Sequence, residues 1–356
     1  MSTPAKSQIF PLIQALRALA AFSVALLHIS HDALSLAPQN HLLRGLYGFM
    51  PWGAGVDIFF VISGFVIVHA AKGLYAAPGA PRRFIARRVA RIVPLYWGLT
   101  SLFLLSLWLL PSAIHGDIGG PAYLLTSYLF IPAARPDGLV QPALGLGWTL
   151  NYEMFFYAAF MGFLRWPKGR AVPAAAVTLA GFVVLGALVR LPGTILPFWA
   201  SPIILEFCAG MLLALLPGRV VLPGAARAGL AILAMMTLHL DTHDGTWRAL
   251  AWGLPACALV LAATTGRAQT RLPVLEQGLV LLGDASYALY LIHPFVMRAM
   301  DLIWRHAHFS GNFLYIALCL ILAQIAALAT HHYLERPATF WLRRKLEPQR
   351  LTPAAA

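Results

Sequence analysis

Charge is what this sequence has least of: Asp, Glu, Lys and Arg make up 11% of its 356 residues, and only 13 residues are acidic. A soluble domain carries about a quarter of its residues charged, so a water-facing surface is excluded for most of the chain. Cysteine is scarcer still, with three residues. Cys208, Cys257 and Cys319 each lie in an apolar run without paired spacing, which argues against a disulfide framework or a zinc site, and no metal is expected. No Ser- or Pro-rich linker leads to a second folded unit and no internal repeat is visible. The chain therefore reads as one domain over 1–346, with a disordered cytoplasmic tail at 347–356.

Hydrophobic residues fill 60% of the sequence and the mean hydropathy is +0.73, so the expected fold is an all-α membrane protein. The first apolar stretch has no small-residue cleavage site and leads into a second, which makes it a retained helix and not a removed signal peptide. A net charge of +13 would suggest nucleic acid in a soluble protein. Here the basic residues collect between apolar runs, as orientation signals do, and no nucleic-acid partner is expected.

Apolar runs of spanning length fall near residues 12–31, 55–71, 92–110, 148–164, 172–190, 201–216, 228–240, 247–265, 279–300 and 312–332, which makes about ten transmembrane helices. The run 121–131 is too short to cross and reads as a re-entrant or interfacial segment. With both termini cytoplasmic, 20 of the 26 Lys and Arg residues fall on the inner side and 6 on the outer, the asymmetry that the positive-inside rule demands.

Ionisable groups inside such runs are costly and therefore informative. Arg17 and His28 share the first span, eleven residues apart. That spacing puts both on nearly one helix face with a rise of about 16 Å between them. At the inner end, PRRFIARRVARIVPLYW sets Arg87, Arg88 and Arg91 at i,i+3 and i,i+4 spacing, so guanidinium forks suited to phosphate converge on one face. Arg17 and Asp284 lie at similar depth. A basic juxtamembrane run taken alone more often anchors a chain in anionic lipid headgroups, and that reading is kept for Arg82 and Arg83.

At the outer end, His28 shares its depth with Asp57 and Glu153. A lone His on an apolar helix is more often a packed residue than a catalyst, but a carboxylate that fixes its tautomer makes it a competent general base. Asp57, in GAGVDIFF, reads first as a helix-start carboxylate that satisfies free amides. Glu153, in GWTLNYEMFFY, has no such role and is the expected partner of His28. His293 precedes Pro294 in mid-span, where it either lines a cavity or satisfies the kink.

Taken in order, IQALRALAAFSVALLH, GAGVDIFFVISGFVIVHA, FIARRVARIVPLYW, GWTLNYEMFFYAAF, ILEFCAGMLLA, LGDASYALYLIHPF and HHYLERPATFWLRR resemble the acyltransferase 3 family of bacterial multipass membrane acyltransferases. The family's Arg-x10-His motif falls on Arg17 and His28, and its Arg-x-x-Arg motif on Arg88 and Arg91. The resemblance implies an acyl-CoA donor, usually acetyl-CoA, that enters from the cytoplasm, and a sugar hydroxyl acceptor handled at the outer side. It is closest to stand-alone members that acylate exopolysaccharide, lipopolysaccharide or other envelope glycans, which implies a bacterial inner-membrane enzyme meeting a glycan or lipid-linked glycan among membrane lipids.

An extended pantetheine arm is of the same order as the rise of about 16 Å from Arg17 to His28. The expected mechanism has His28 take the acceptor's proton, Glu153 orient the imidazole, and the hydroxyl oxygen attack the thioester. An acyl-His28 intermediate is the alternative route. The rival from another class is a proton-coupled transporter of a sugar or glycolipid, since ten spans with buried ionisable groups also describe carriers.

Overall fold

A computed structural model describes residues 11–109, 119–240, 248–266 and 274–347 of the chain. The regular elements among its described residues are all helices, with no strand. Helix α1 spans Pro11–Leu36, α2 Gly55–Ala70, α3 Ala80–Leu109, α4 Pro121–Tyr128, α5 Trp148–Met161, α6 Lys168–Leu188, α7 Ile204–Leu213, α8 Gly224–Leu240, α9 Gly253–Thr264, α10 Val274–Asp284, α11 Ser286–His306, α12 Asn312–Thr330 and α13 Arg336–Leu346.

All ten apolar stretches carry helix, but they are not equally long. Six helical segments are long and apolar enough to cross a membrane, and α10 with α11, bent by 64° at Ala285, makes a seventh if the pair is one span. Helices α5, α8 and α9 have 14, 17 and 12 residues, short of the roughly 20 that a hydrocarbon core requires. The count of ten therefore exceeds what helix length alone supports. Helix α4 has 8 residues, as expected of a segment that does not cross, and Tyr96 and Trp97 of α3 tie its end down through the carbonyls of Ser127 and Tyr128. Of the expected tail only Glu347 is described. Lys6, Arg267, Arg271 and Arg350, counted above in the charge asymmetry, lie outside the described residues.

Apolar side chains occupy both sides of the helices. Along α1, Ala20, Ala21, Val24, Ala25 and Ile29 are buried while Leu19 and Phe22 are exposed. Leu188, Leu240 and Trp108 are also exposed, as in a chain whose outer surface meets lipid.

Between apolar helices in lipid there is no hydrophobic drive to associate, so close backbone approach has to supply the attraction. Gly64 of α2 and Gly210 of α7 provide it: a Cβ on either would overlap the partner's backbone carbonyl, Phe207 for Gly64 and Val61 for Gly210. Gly283 does the same for α10 against the Gln14 carbonyl of α1. The bend that follows leaves Asp284 beside α1.

Candidate functional site

Five helices meet around a pocket of about 830 Å³. Arg17 comes from α1, Ser63 from α2, Arg88 and Arg91 from α3, Glu153 and Tyr157 from α5, and Tyr287 and Tyr290 from α11. Three guanidiniums thus line one cavity with a single carboxylate among them.

Each arginine is held differently. Arg17 Nη1 donates to Gln14 Oε1 at 2.9 Å, and Gln14 Nε2 donates to Asp284 Oδ1 at 2.9 Å. This relay anchors Arg17 to the bend between α10 and α11. The Arg88 guanidinium lies 5.9 Å from the Phe84 ring centroid and 5.8 Å from that of Tyr157. Its Nε is buried and has no hydrogen-bond partner among the described residues. A buried donor of this kind costs about 1–3 kcal/mol, which is recovered when a ligand supplies an acceptor. Arg91 shares the pocket lining with both. Glu153 accepts from Ser63 Oγ at 3.2 Å and from the Tyr157 hydroxyl, so its carboxylate is fixed within the arginine pocket.

A second pocket, of about 920 Å³, is lined by His28, Gln141, Trp148, Phe295 and Arg298, among others. His28 Nδ1 lies 3.1 Å from His293 Nε2. His293 is fully buried, and its Nδ1 donates to the Leu289 carbonyl at 3.1 Å. A hydrogen bond joins the walls of the two pockets. Thr149 and Tyr290 line the first. Tyr290 donates its hydroxyl proton to the carbonyl of Leu146, which lines the second, at 3.1 Å and lies 3.0 Å from Thr149 Oγ1.

Three sequence expectations are corrected by this arrangement. Glu153 is not the partner of His28: its contacts are Ser63 and Tyr157, and His28 meets His293 instead. The expected depth of Glu153 is corrected with its partner, since it shares a pocket with Arg17, Arg88 and Arg91, the group assigned to the inner end, and not with His28. Arg87 does not share the lining with Arg88 and Arg91. Helix α13 packs along the start of α3, and Glu347 just beyond it accepts from Arg87 Nε through both oxygens, at 3.0 and 2.9 Å. Asp57 sits in the first turn of α2, but its side chain receives Arg248 Nε at 3.1 Å and Nη2 at 2.8 Å. That ion pair is buried at the aspartate and lines neither pocket.

His293 lines neither pocket: it is fully buried, bonds the Leu289 carbonyl in the turn before Pro294 and touches His28. Asp284 acts at one remove, through Gln14. Gln14, Ser63 and Tyr157 were not singled out from the sequence. Gln14 and Tyr157 stand at i,i+3 and i,i+4 spacing from Arg17 and Glu153, the only signal that pointed to either. No group of three or more His, Cys, Asp or Glu side chains that could hold a metal occurs among the described residues.

Comparison with known proteins bears on these two pockets. A family profile described as "Acyltransferase domain" matches residues 11–332. The chain is 33% identical over 259 residues to "Exopolysaccharide production protein ExoZ" of Rhizobium meliloti (strain 1021), covering 69% of this chain and 77% of that protein. It is 26% identical over 319 residues to "Acyltransferase MdmB" of Streptomyces mycarofaciens, covering 81% of this chain and 79% of that one. "Protein 2 in picA locus" of Rhizobium radiobacter is 34% identical over 143 residues, covering 35% of this chain and 71% of its own length. No solved structure matches.

Proposed function

Since the chain belongs to the acyltransferase 3 family and is an acyltransferase, we propose that it moves an acyl group, acetyl in the first instance, from cytoplasmic acyl-CoA to a hydroxyl of an exported or lipid-linked envelope glycan. The transporter reading loses its support once the chain is an enzyme of this family. The acceptor class is suggested by the exopolysaccharide named in the relative from Rhizobium meliloti.

The observation that carries this reading is the pair of pockets. Arg17, Arg88 and Arg91 line one pocket and His28 lines the other, their walls joined through Tyr290 and Leu146. Guanidiniums bind phosphate oxygens bidentately, so the arginine pocket suits the polyanionic end of CoA, with Arg88 Nε already short of an acceptor. The second pocket combines rings (Trp148, Phe103, Phe295) with polar groups (Gln141, Arg298), a mixture that suits a sugar. Ten spans, both termini cytoplasmic and a bacterial inner membrane complete the proposal: donor inside, acceptor toward the outer face.

In the proposed reaction the acceptor hydroxyl loses its proton to His28 as its oxygen bonds to the thioester carbonyl carbon. The carbon–sulfur bond then breaks, and the CoA thiolate takes the proton back from the imidazolium. The products are the glycan ester and free CoA, with His28 restored. Glu153, held by Ser63 and Tyr157, shares the arginine pocket and belongs to the donor side.

Membranes containing the intact protein or His28→Ala, supplied with radiolabelled acetyl-CoA, test the reading. Incorporation into envelope glycan that depends on His28 is expected. Equal incorporation by His28→Ala ends the catalytic assignment, and counterflow of a labelled sugar without CoA, in protein that transfers no label, overturns acyl transfer. A stoichiometric burst of CoA release without acceptor replaces direct transfer with an acyl-enzyme.

A further inference from the structure

The two histidines allow a deduction about protons that rests on the role proposed for His28 and reaches beyond it. The rings are 5.2 Å apart between centroids, at an interplanar angle of 23°. With Nδ1 of His28 and Nε2 of His293 only 3.1 Å apart, that centroid separation is the one given by two rings meeting edge to edge nearly in one plane. Face-to-face packing would bring the centroids closer. The contact is therefore an N–H···N hydrogen bond, with one proton between the two nitrogens.

Which nitrogen owns that proton is decided on the far side of His293. Its Nδ1 lies 3.1 Å from the Leu289 carbonyl oxygen, and a carbonyl only accepts, so Nδ1 carries a hydrogen. The Tyr290 carbonyl, which Pro294 leaves without its helical donor, also meets the His293 ring. His293 is fully buried and its described contacts are a carbonyl, a tyrosine ring and His28, with no carboxylate. A second proton would bury an uncompensated charge. His293 is thus neutral with a bare Nε2, and His28 Nδ1 must be the donor.

We infer that His293 is the positioning residue of the transfer reaction: through the Leu289 carbonyl it locks His28 as the Nδ1–H tautomer, leaving the lone pair of His28 Nε2 for an acceptor hydroxyl in the second pocket. The His28 ring also meets the Val24 carbonyl one turn back in α1; a free imidazole prefers the opposite tautomer, so loss of His293 shifts the base nitrogen toward carrying a hydrogen when the acceptor arrives. In the reaction, His28 Nε2 gains the hydroxyl proton while the acceptor oxygen bonds to the thioester carbon. The carbon–sulfur bond breaks, and Nε2 returns the proton to the thiolate. The Nδ1 hydrogen stays in place throughout, and His293 neither gains nor loses a proton. Where most His bases are oriented by a carboxylate, this one is oriented by a neutral imidazole that a main-chain carbonyl has itself fixed.

The test combines kinetics with direct observation of the proton. His293→Leu removes the acceptor, and His293→Gln places an amide oxygen where Nε2 stands. His293→Leu is expected to lower kcat by roughly 10²–10⁴, the upper figure being that of a wrong-tautomer serine protease, with the KM for acetyl-CoA unchanged. His293→Gln is expected to recover at least tenfold of that loss. In the intact protein, ¹⁵N spectra of labelled histidine, assigned by comparison with His28→Ala, should show His28 Nδ1 protonated and Nε2 bare. A bare Nδ1 on His28 overturns the proposal whatever the variants do. So does a His293→Leu enzyme with full kcat, or one that loses donor affinity and kcat together and is not rescued by glutamine. The underlying reading fails separately, if His28→Ala transfers normally.

Discussion

Replacing Arg88 offers the sharpest test of the arginine pocket, because Arg87 supplies a control on the neighbouring residue. Arg88 lies between the Phe84 and Tyr157 rings with a buried Nε that has no acceptor among the described residues. Its Nε is therefore dehydrated before any donor binds, and little further desolvation of that nitrogen opposes a contact with phosphate. A hydrogen bond to a charged group contributes about 1.5–3 kcal/mol, which corresponds to roughly a 10- to 150-fold change in dissociation constant. The missing desolvation places Arg88→Ala in the upper half of that range. Arg88→Lys keeps the charge but loses the fork, and falls between. Arg87 is engaged by both oxygens of Glu347, so Arg87→Ala should change donor affinity by less than about twofold, since the ion pair it breaks is only partly buried. Equilibrium binding of labelled acetyl-CoA to purified protein measures the effect. Transfer from S-acetylpantetheine, which has the thioester but no phosphate, checks its origin and should be alike in the intact protein and Arg88→Ala. Equal losses with both donors, or equal losses for Arg87→Ala and Arg88→Ala, would refute the reasoning.

Two further expectations concern the scaffold. Arg248→Met leaves Asp57 buried without that partner and beside Glu206; removing one member of a buried pair costs about 3–5 kcal/mol, to be read as a loss of monodisperse protein on thermal challenge in detergent, with unchanged melting ruling the pair out as a structural element. Gly64→Ala drives a Cβ into the Phe207 carbonyl and should destabilise by about 1–3 kcal/mol, whereas Gly162→Ala, at a position with nothing within 4 Å, should be nearly neutral in the same melt.

Much of the fold was legible because a bilayer imposes a simple rule. Every apolar stretch singled out from hydropathy is helical, since backbone groups in hydrocarbon have to bond within their own segment. Lengths were less legible. Helices α5, α8 and α9 stop short of a full crossing, because a hydropathy run continues through breaks that the backbone does not. In the site, Arg17, Arg88 and Arg91 share a pocket as their helical spacing and depth suggested. Arg87 differs from Arg88 by one residue and ends on another surface, because Glu347 lies 260 residues away in the chain and only packing brings it near.

The sequence by itself determined chemistry and spacing along each helix: which residues are ionisable inside apolar runs, that α1 separates Arg17 from His28 by about 16 Å, and that the motifs are those of an acyltransferase. These are properties of composition and of rise per residue, and they survive in any packing of the helices. Only the tertiary structure decided partnership. It set Glu153 among the arginines, gave Asp57 to Arg248, tied Arg17 through Gln14 to Asp284, and placed His293 against His28. Hydropathy tells each helix how deep to sit but not which neighbour to face. That choice rests on the fit of glycine-lined surfaces, such as Gly64 against Gly210, between residues far apart in sequence.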